Sequence, residues 1–222
     1  MLKRLLVVGL ITLSTSPLAG EEASHDRGWI PADPTVECAT VEQKALCTEL
    51  LALRDKDQVI RHRLIESPND PSLLAELEKV DAANLARITE ILERLGWPRK
   101  ADVGQRAAAA PWLIIQHADL DTQERYIDLM KSAAAAGELE QSLIALTIDR
   151  IRVGQGRPQL YGTQFRELDG ELVPEPIEDP GRLDERRAEV GLGPFAEYQA
   201  LIRQSYGKKP PAGDEQPPDE RQ

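Results

Sequence analysis

Apolar side chains recur at helical spacing through the first half of the chain. Positions three, four or seven residues apart form one stripe before the break at 67–71 and a second stripe after it. Asp70 before Pro71 is typical of a helix start, and Gly96 is typical of a helix end. The pattern predicts two helices packed as an antiparallel hairpin, with apolar faces formed by Leu46, Leu50, Leu53, Ile60 and Leu64 and by Leu73, Leu77, Val80, Ile88, Ile91 and Leu95.

Further helices are predicted downstream, and the pattern changes after Gly156. Helical segments are expected around 112–117, 121–137 and 143–151, and two short ones at 183–190 and 195–206. Between them, residues 159–174 alternate as strands do around Asp169-Gly170, a favoured turn pair, and therefore predict a β-hairpin. The fold class is mainly α, a multi-helix bundle with a small β-hairpin near the C-terminal third.

The N-terminus has the pattern of a secretory signal peptide. Two basic residues precede the apolar run 5–13, and small residues follow it. We assign residues 1–20 to the signal peptide, with cleavage between Ala19 and Ala23, and expect a protein exported to the periplasm or secreted. The alternative is an uncleaved N-terminal anchor; after cleavage no stable membrane anchor is expected, because no other apolar run is long enough to span a bilayer.

The remaining chain divides into a strap, a domain and a tail. Residues 21–39 form a leader strap, and the helical domain covers 40–206 because Thr40 and Gln43 have capping-box spacing. Residues 207–222 are rich in proline and charge and are predicted to be disordered. The formal net charge of −11 disfavours binding to nucleic acid and identifies no other partner.

Cys38 and Cys47 are the only cysteines, so they have one possible pairing. Export would permit a disulfide that ties the strap to the first helix. The unbridged state stays open, because the strap must fold back for the two residues to meet. No CxxC pattern is present.

Gln116, His117 and Asp119 form a polar group on an otherwise apolar segment. His117 has apolar helical neighbours, so its ring is expected to point inward, where it can act as an acid, a base or a metal ligand. Asp119 either turns back toward the ring or caps the following helix. The plainer alternative is a core histidine whose nitrogens are satisfied by neighbours. No third metal ligand is indicated, so neither a metal nor a cofactor is predicted.

Asp149 and Arg150 are adjacent charges on a largely apolar helix. At least one of them is expected to be buried and therefore paired. Arg150 is expected to pair with Asp119 or to hold an anionic ligand in a bidentate fork. The alternative is an internal salt bridge that only locks the bundle.

The segment after this helix is rich in glycine, amides and hydroxyls. Gly154 and Gly156 follow a helix rather than a strand, so they do not form a dinucleotide-binding loop. On a strand, Gln159, Tyr161 and Thr163 would share one face and Gln164 would lie on the other. Such a face either lines a pocket or satisfies the backbone of a packed loop.

These segments in this order resemble a family of bacterial proteins of unknown function, the DUF6624 family. The resemblance covers roughly Leu73 to Tyr198 and implies no activity. It implies that one set of signature positions forms a single site. The segments that carry it are Gly96-Trp-Pro98, Trp112–Asp119, Asp149-Arg150, Gly156–Gln164, Pro176–Pro180 and Arg186-Arg187 with Gly191-Leu192, and the implied site comprises Gln116, His117, Asp119, Asp149, Arg150, Gln159, Tyr161 and Gln164.

Three functions are compatible with these residues. The leading hypothesis is a polar site that binds a small molecule or a cell-envelope component, with Arg150 on an anionic or carbonyl group and Tyr161, Thr163 and Gln164 around it. The second is a hydrolase-like enzyme in which His117 is a general base oriented by Asp119. The third is a structural or interaction scaffold. The sequence does not decide whether the protein is an enzyme.

Overall fold

A computed structural model describes residues 31–206, and within them the chain is mainly helical with one small β-hairpin, as predicted. The predicted signal peptide, the first part of the predicted strap and the predicted tail lie outside the described residues. Within the described residues, no helix combines the length and the apolar composition that a membrane span requires.

The first two long helices form the expected antiparallel pair. A short α1 (Pro34–Glu37) precedes α2 (Lys44–Glu66) and α3 (Pro71–Leu95). The start of α3 is as predicted, because the Asp70 carboxylate accepts hydrogen bonds from the backbone N–H groups of Ser72 and Leu73. Its end is as predicted too, with Gly96 at a φ of 71°.

The capping box predicted at Thr40 is wrong, because α2 begins only at Lys44. Gln43, the residue before α2, is held by a segment that is distant in sequence: its backbone N–H donates to the carbonyl of Asp102 at 2.8 Å. Cys38 and Cys47 form a disulfide with 5.8 Å between their Cα atoms, so the chain folds back before the helix starts. Tertiary contacts therefore set this helix end.

Five helices follow and pack on the first pair: α4 (Lys100–Val103), α5 (Gln105–Ala108), α6 (Ala110–Ile115), α7 (Leu120–Ala135) and α8 (Gln141–Gly154). The short α6 lies in the centre, and all of its residues are buried. Its Trp112 indole donates to the Thr147 hydroxyl at 3.0 Å, which ties α6 to α8. The end of α6 is thereby fixed between α2 and α8.

The C-terminal part builds a second, smaller core on the hairpin. Strands β1 (Phe165–Leu168) and β2 (Glu171–Pro174) are antiparallel, and their turn residues Asp169 and Gly170 have φ values of 53° and 84°. A 3-10 turn (Pro180–Arg182), α9 (Leu183–Glu189) and α10 (Phe195–Tyr206) follow. Phe165, Leu172, Tyr198 and Ile202 form this second core.

The first predicted strand is wrong over its first half, because residues 159–164 form a loop. Gly162 has a φ of 70°, which a regular strand does not allow. The backbone N–H groups of Leu160, Tyr161 and Thr163 donate to the Asp149 carboxylate rather than to a neighbouring strand. A buried side chain on α8 therefore overrides the local strand pattern.

Candidate functional site

His117 lies just after the last residue of α6, in the middle of the helical bundle. Its backbone N–H donates to the carbonyl of Ile114 at 3.2 Å, so the chain makes one more turn beyond the helix. Its side chain is 6% exposed. The inward orientation expected from the sequence is therefore present.

The carboxylate that faces His117 belongs to Asp57 of α2. The His117 Nε2 and Asp57 Oδ2 atoms are 3.8 Å apart, which is too long for a hydrogen bond. Asp57 instead accepts from the Gln58 amide at 2.7 Å and from Arg61 Nε at 3.2 Å. Arg61 also reaches Asp81 at 2.7 Å and so connects the buried Asp57 to the rim of the domain.

Arg150 of α8 contacts the segment that carries His117. Its Nη1 donates to the backbone carbonyl of Gln116, while its Nη2 has no partner among the described residues. Within residues 31–206 no carboxylate forms an ion pair with this guanidinium. Burial lowers the pKa of Arg150 to about 10, and the positive charge of Arg61 adds to the effect, so the group is still charged at neutral pH.

We call Asp57, Gln58, Arg61, Gln116, His117 and Arg150 the interior polar cluster. Four of its buried atoms have no hydrogen-bond partner within the described residues: Gln58 Oε1, Gln116 Oε1, His117 Nε2 and Arg150 Nη2. Each such atom costs about 1–3 kcal/mol if nothing satisfies it. Buried polar groups in folded proteins are nearly always satisfied, so this concentration of unpaired atoms marks the cluster as the candidate site.

Burial, together with the neighbouring positive charges, favours the neutral form of the His117 imidazole. Burial lowers its pKa well below 6.5, and the positive charges of Arg61 and Arg150 lower it further. Burial raises the pKa of Asp57, against the opposing effect of Arg61. A neutral His117 Nε2 is a donor or an acceptor according to the tautomer, so it adapts to the group that it meets.

A second buried polar arrangement surrounds Asp149, the residue before Arg150. The Asp149 carboxylate accepts from the backbone N–H of Leu160, Tyr161 and Thr163 at 2.7 to 3.0 Å and from the Thr163 hydroxyl at 2.9 Å. We call this arrangement the Asp149 clip. It attaches the loop 159–164 to α8.

Gln159 extends the clip to the hairpin. Its amide nitrogen donates to the carbonyls of Gln164 and Glu175 at 3.0 and 2.9 Å, and its Oε1 accepts from the Gln164 N–H at 2.8 Å. The Gln164 amide donates to the Thr163 hydroxyl at 3.0 Å. Tyr161 is half-buried, and its carbonyl accepts from Arg187 at 2.6 Å.

The structure thus divides the predicted site residues into two groups. Gln116, His117 and Arg150 converge in the interior polar cluster. Asp149, Gln159, Thr163 and Gln164 are joined in the Asp149 clip, with their polar atoms directed at the loop itself. A ligand-binding role for this second group and for Tyr161 stays a prediction.

Asp119 takes the second of its two expected positions. It is exposed, and its carboxylate caps α7 by accepting from the Thr122 N–H at 2.8 Å. Neither the expected pairing of Arg150 with Asp119 nor a contact of Asp119 with the His117 ring occurs among the described contacts. Asp57 occupies the place that the sequence assigns to Asp119.

Sequence reasoning missed Asp57, Gln58 and Arg61, although a signal for them was present. The apolar stripe of α2 runs through Leu50, Leu53 and Ile60 and skips the position at 57. A polar residue in such a gap faces the core and must find a partner there. Asp57 and Gln58 are both almost completely buried.

Two other kinds of site can be compared with this cluster. Within the described part of the chain, no three side chains of His, Cys, Asp or Glu are placed to hold a metal ion. A groove of about 510 Å³ lies between α2 and α3 and is lined by residues such as Lys56, Lys79 and Val80. No residue of the interior polar cluster lines this groove.

Fold and site together define a helical domain with a partly unsatisfied polar centre. A family model described as a family of unknown function, DUF6624, matches residues 44–210. The chain belongs to this family. The match starts well before Leu73, where the resemblance was expected to begin, and so includes the part of α2 that carries Asp57 and Gln58. The comparisons with curated proteins and with solved structures found no match.

Proposed function

We propose that the interior polar cluster binds a small polar molecule. The observation that carries this proposal is the set of four unsatisfied buried atoms on Gln58, Gln116, His117 and Arg150. They come from three separate segments of the chain, α2, the end of α6 and α8. Ordered water would satisfy them in the free protein, and the ligand would replace it.

The side chains of Arg150 and Gln116 make few hydrogen bonds that hold the fold together. Arg150 makes its only hydrogen bond among the described residues to the backbone of Gln116. Gln116 contributes its backbone carbonyl to that bond and to a bond from Gln123, while its own side-chain oxygen is unpaired. Replacing buried polar groups by apolar ones of similar volume is often neutral or stabilising, which supports a function for Arg150 and Gln116.

A second candidate is a hydrolase-like enzyme that uses His117 as general base. It is favoured by the Asp57 carboxylate, which faces the imidazole at 3.8 Å and would have to move closer to orient it. The lowered pKa of His117 would make it a weaker base, whereas the four unpaired buried atoms support binding directly. Arg150 would stabilise the negative charge that develops during hydrolysis.

A ligand screen with matched variants tests the binding proposal. Thermal shift assays with a library of small polar compounds are run on the native protein, on Arg150→Met and on Arg157→Met, an exposed control. We expect compounds that raise the Tm of the native protein and of Arg157→Met, and that lose this effect in Arg150→Met. Compounds that stabilise all three proteins equally would place binding elsewhere and contradict the proposal.

The enzyme candidate has its own test. A panel of ester and amide substrates is assayed with the native protein, His117→Gln and Asp57→Asn. Turnover that both substitutions abolish in folded protein would favour the enzyme over the binding domain. Turnover that survives in His117→Gln would eliminate His117 as the general base.

We also propose that the protein acts after export, in the periplasm or outside the cell, on a small molecule or a cell-envelope component. Support comes from the signal-like residues 1–20 and from the disulfide between Cys38 and Cys47. Expression of the full chain in a bacterium should give a mature protein in the periplasmic fraction whose first residue is one of residues 20–23. A cytoplasmic protein that starts at Met1 would overturn this proposal.

A further inference from the structure

The unsatisfied atoms of the interior polar cluster differ in what they need. Arg150 Nη2 is a donor without an acceptor, whereas Gln58 Oε1 and Gln116 Oε1 are acceptors without donors. The orientation of the Gln58 amide is set by its nitrogen, which donates to Asp57 at 2.7 Å. A complementary group must therefore accept from an arginine and donate to amide oxygens.

The four residues that carry these atoms are linked by a continuous series of contacts. The Gln58 amide contacts Asp57, Asp57 faces His117 at 3.8 Å, and His117 follows Gln116 in the chain. Arg150 completes this series of contacts through its hydrogen bond to the Gln116 carbonyl. One small planar group at His117 is thus the simplest object that would meet donors and acceptors from all three segments.

We propose that the group recognised here is an uncharged carboxamide, an inference that rests on the proposed binding function. Its carbonyl oxygen accepts from Arg150 Nη2, and its N–H groups donate to the oxygens of Gln58 and Gln116. The neutral His117 Nε2 takes whichever role the bound group leaves open.

Charged groups of the same shape satisfy fewer of these atoms. A carboxylate has no N–H, so it leaves both glutamine oxygens unpaired and lies near the Asp57 carboxylate. An amidinium has no acceptor, so it leaves Arg150 Nη2 unpaired and adds positive charge beside Arg61 and Arg150. A polar site rejects an analogue that leaves its buried groups unpaired.

Three isosteric probes test the inference: acetamide, acetate and acetamidinium. Each is titrated into the full-length protein to on the order of 100 mM, since a fragment of four heavy atoms binds weakly. The readout is the nitrogen resonances of the His117 ring in long-range proton–nitrogen spectra. We expect acetamide to half-saturate this response at a concentration about tenfold lower than acetate or acetamidinium.

Gln116→Met identifies the atoms responsible, because the backbone carbonyl that receives Arg150 is retained. In this variant the tenfold preference for acetamide over acetate should fall to near unity. Gln105→Met, an exposed control on α5, should keep the full preference.

The other outcomes separate the two proposals. Stronger binding of acetate or of acetamidinium overturns the carboxamide inference and leaves the binding site in place. If no probe shifts the His117 resonances and a crystal structure soaked in all three shows only water on the four atoms, the binding function fails as well.

Discussion

Asp149 and Arg150 are consecutive residues on α8, yet their buried charges meet opposite surroundings. Asp149 receives hydrogen bonds from three backbone N–H groups and one hydroxyl. Arg150 has one carbonyl partner and an unpaired nitrogen. Both residues are nearly inaccessible, so burial alone does not distinguish them. What distinguishes them is whether the fold itself completes their hydrogen bonding.

This difference in hydrogen bonding suggests that the Asp149 clip and the interior polar cluster have different roles. In the Asp149 clip, side chains replace the hydrogen bonds that a regular strand would have made, and the loop gains a fixed shape. In the interior polar cluster, partners are missing on three segments at once. Substitutions should therefore have opposite effects on stability in the two places.

The largest effect is expected for Asp149→Ala. The change leaves buried donors of Leu160, Tyr161 and Thr163 without an acceptor, so we expect a loss of about 3–5 kcal/mol in the free energy of unfolding. Urea denaturation measures it. Asp119→Ala, which removes only an exposed helix cap, should cost about 1 kcal/mol. Equal losses in the two variants would show that the clip is unimportant.

The next effect is expected for Gln159→Leu. This residue satisfies two carbonyls and one N–H between the loop and the hairpin, so its loss should cost about 2–3 kcal/mol. Gln105→Leu at an exposed position should change the free energy of unfolding by less than about 0.5 kcal/mol. If Gln159→Leu is as mild as this control, the loop is held by other contacts.

The pH dependence of stability should report on His117. Its pKa is lowered in the folded protein, so the unfolded chain binds the proton more readily. Stability is then complete above about pH 6.5 and is lost as the pH falls, with a slope of at most about 1.4 kcal/mol per pH unit. The raised pKa values of Asp57 and Asp149 act in the opposite direction, because these groups favour the folded state as they protonate.

His117→Gln isolates this contribution, since it keeps a polar side chain and removes the titration. The loss of stability below pH 6.5 should disappear in this variant and persist in His62→Gln, measured by urea denaturation across pH 5 to 8. A slope that is unchanged in His117→Gln would assign the effect to another group.

The smallest effect, and the one of opposite sign, is expected for Gln116→Met. Its side-chain oxygen is buried and unpaired, so an apolar side chain of similar length should leave stability unchanged or raise it by up to about 1 kcal/mol. Urea denaturation is again the measurement. A loss above about 1 kcal/mol would show that the Gln116 side chain has a structural partner and would weaken the contrast with the clip.

Local rules predicted the parts of the fold that depend on neighbouring residues. Asp70 and Gly96 bound α3, and Asp169-Gly170 forms the hairpin turn, because each residue acts on backbone within a few positions. The strand predicted over 159–164 is wrong because the geometry of this loop is set by Asp149. That residue lies 11 to 14 positions away from its hydrogen-bond partners, beyond the reach of local rules.

Only part of the candidate site could be predicted, because the sequence shows which residues are unusual but not which distant residues they contact. His117 and Arg150 stand out as polar residues in apolar helices, and both lie in the interior polar cluster. The facing carboxylate was assigned to Asp119, which is near in sequence, whereas Asp57 lies on a different helix. The gap in the apolar stripe of α2 indicates that Asp57 is buried, but it does not indicate that Asp57 faces His117.

The Asp149 clip also has a consequence for a nascent chain. When the ribosome has completed α8, the carboxylate of Asp149 has none of the backbone donors that later surround it. Burying that face before residues 160–163 have emerged would leave an uncompensated charge in the core. We therefore expect the face of α8 that carries Asp149 to complete its packing only when residues 160–163 are in place.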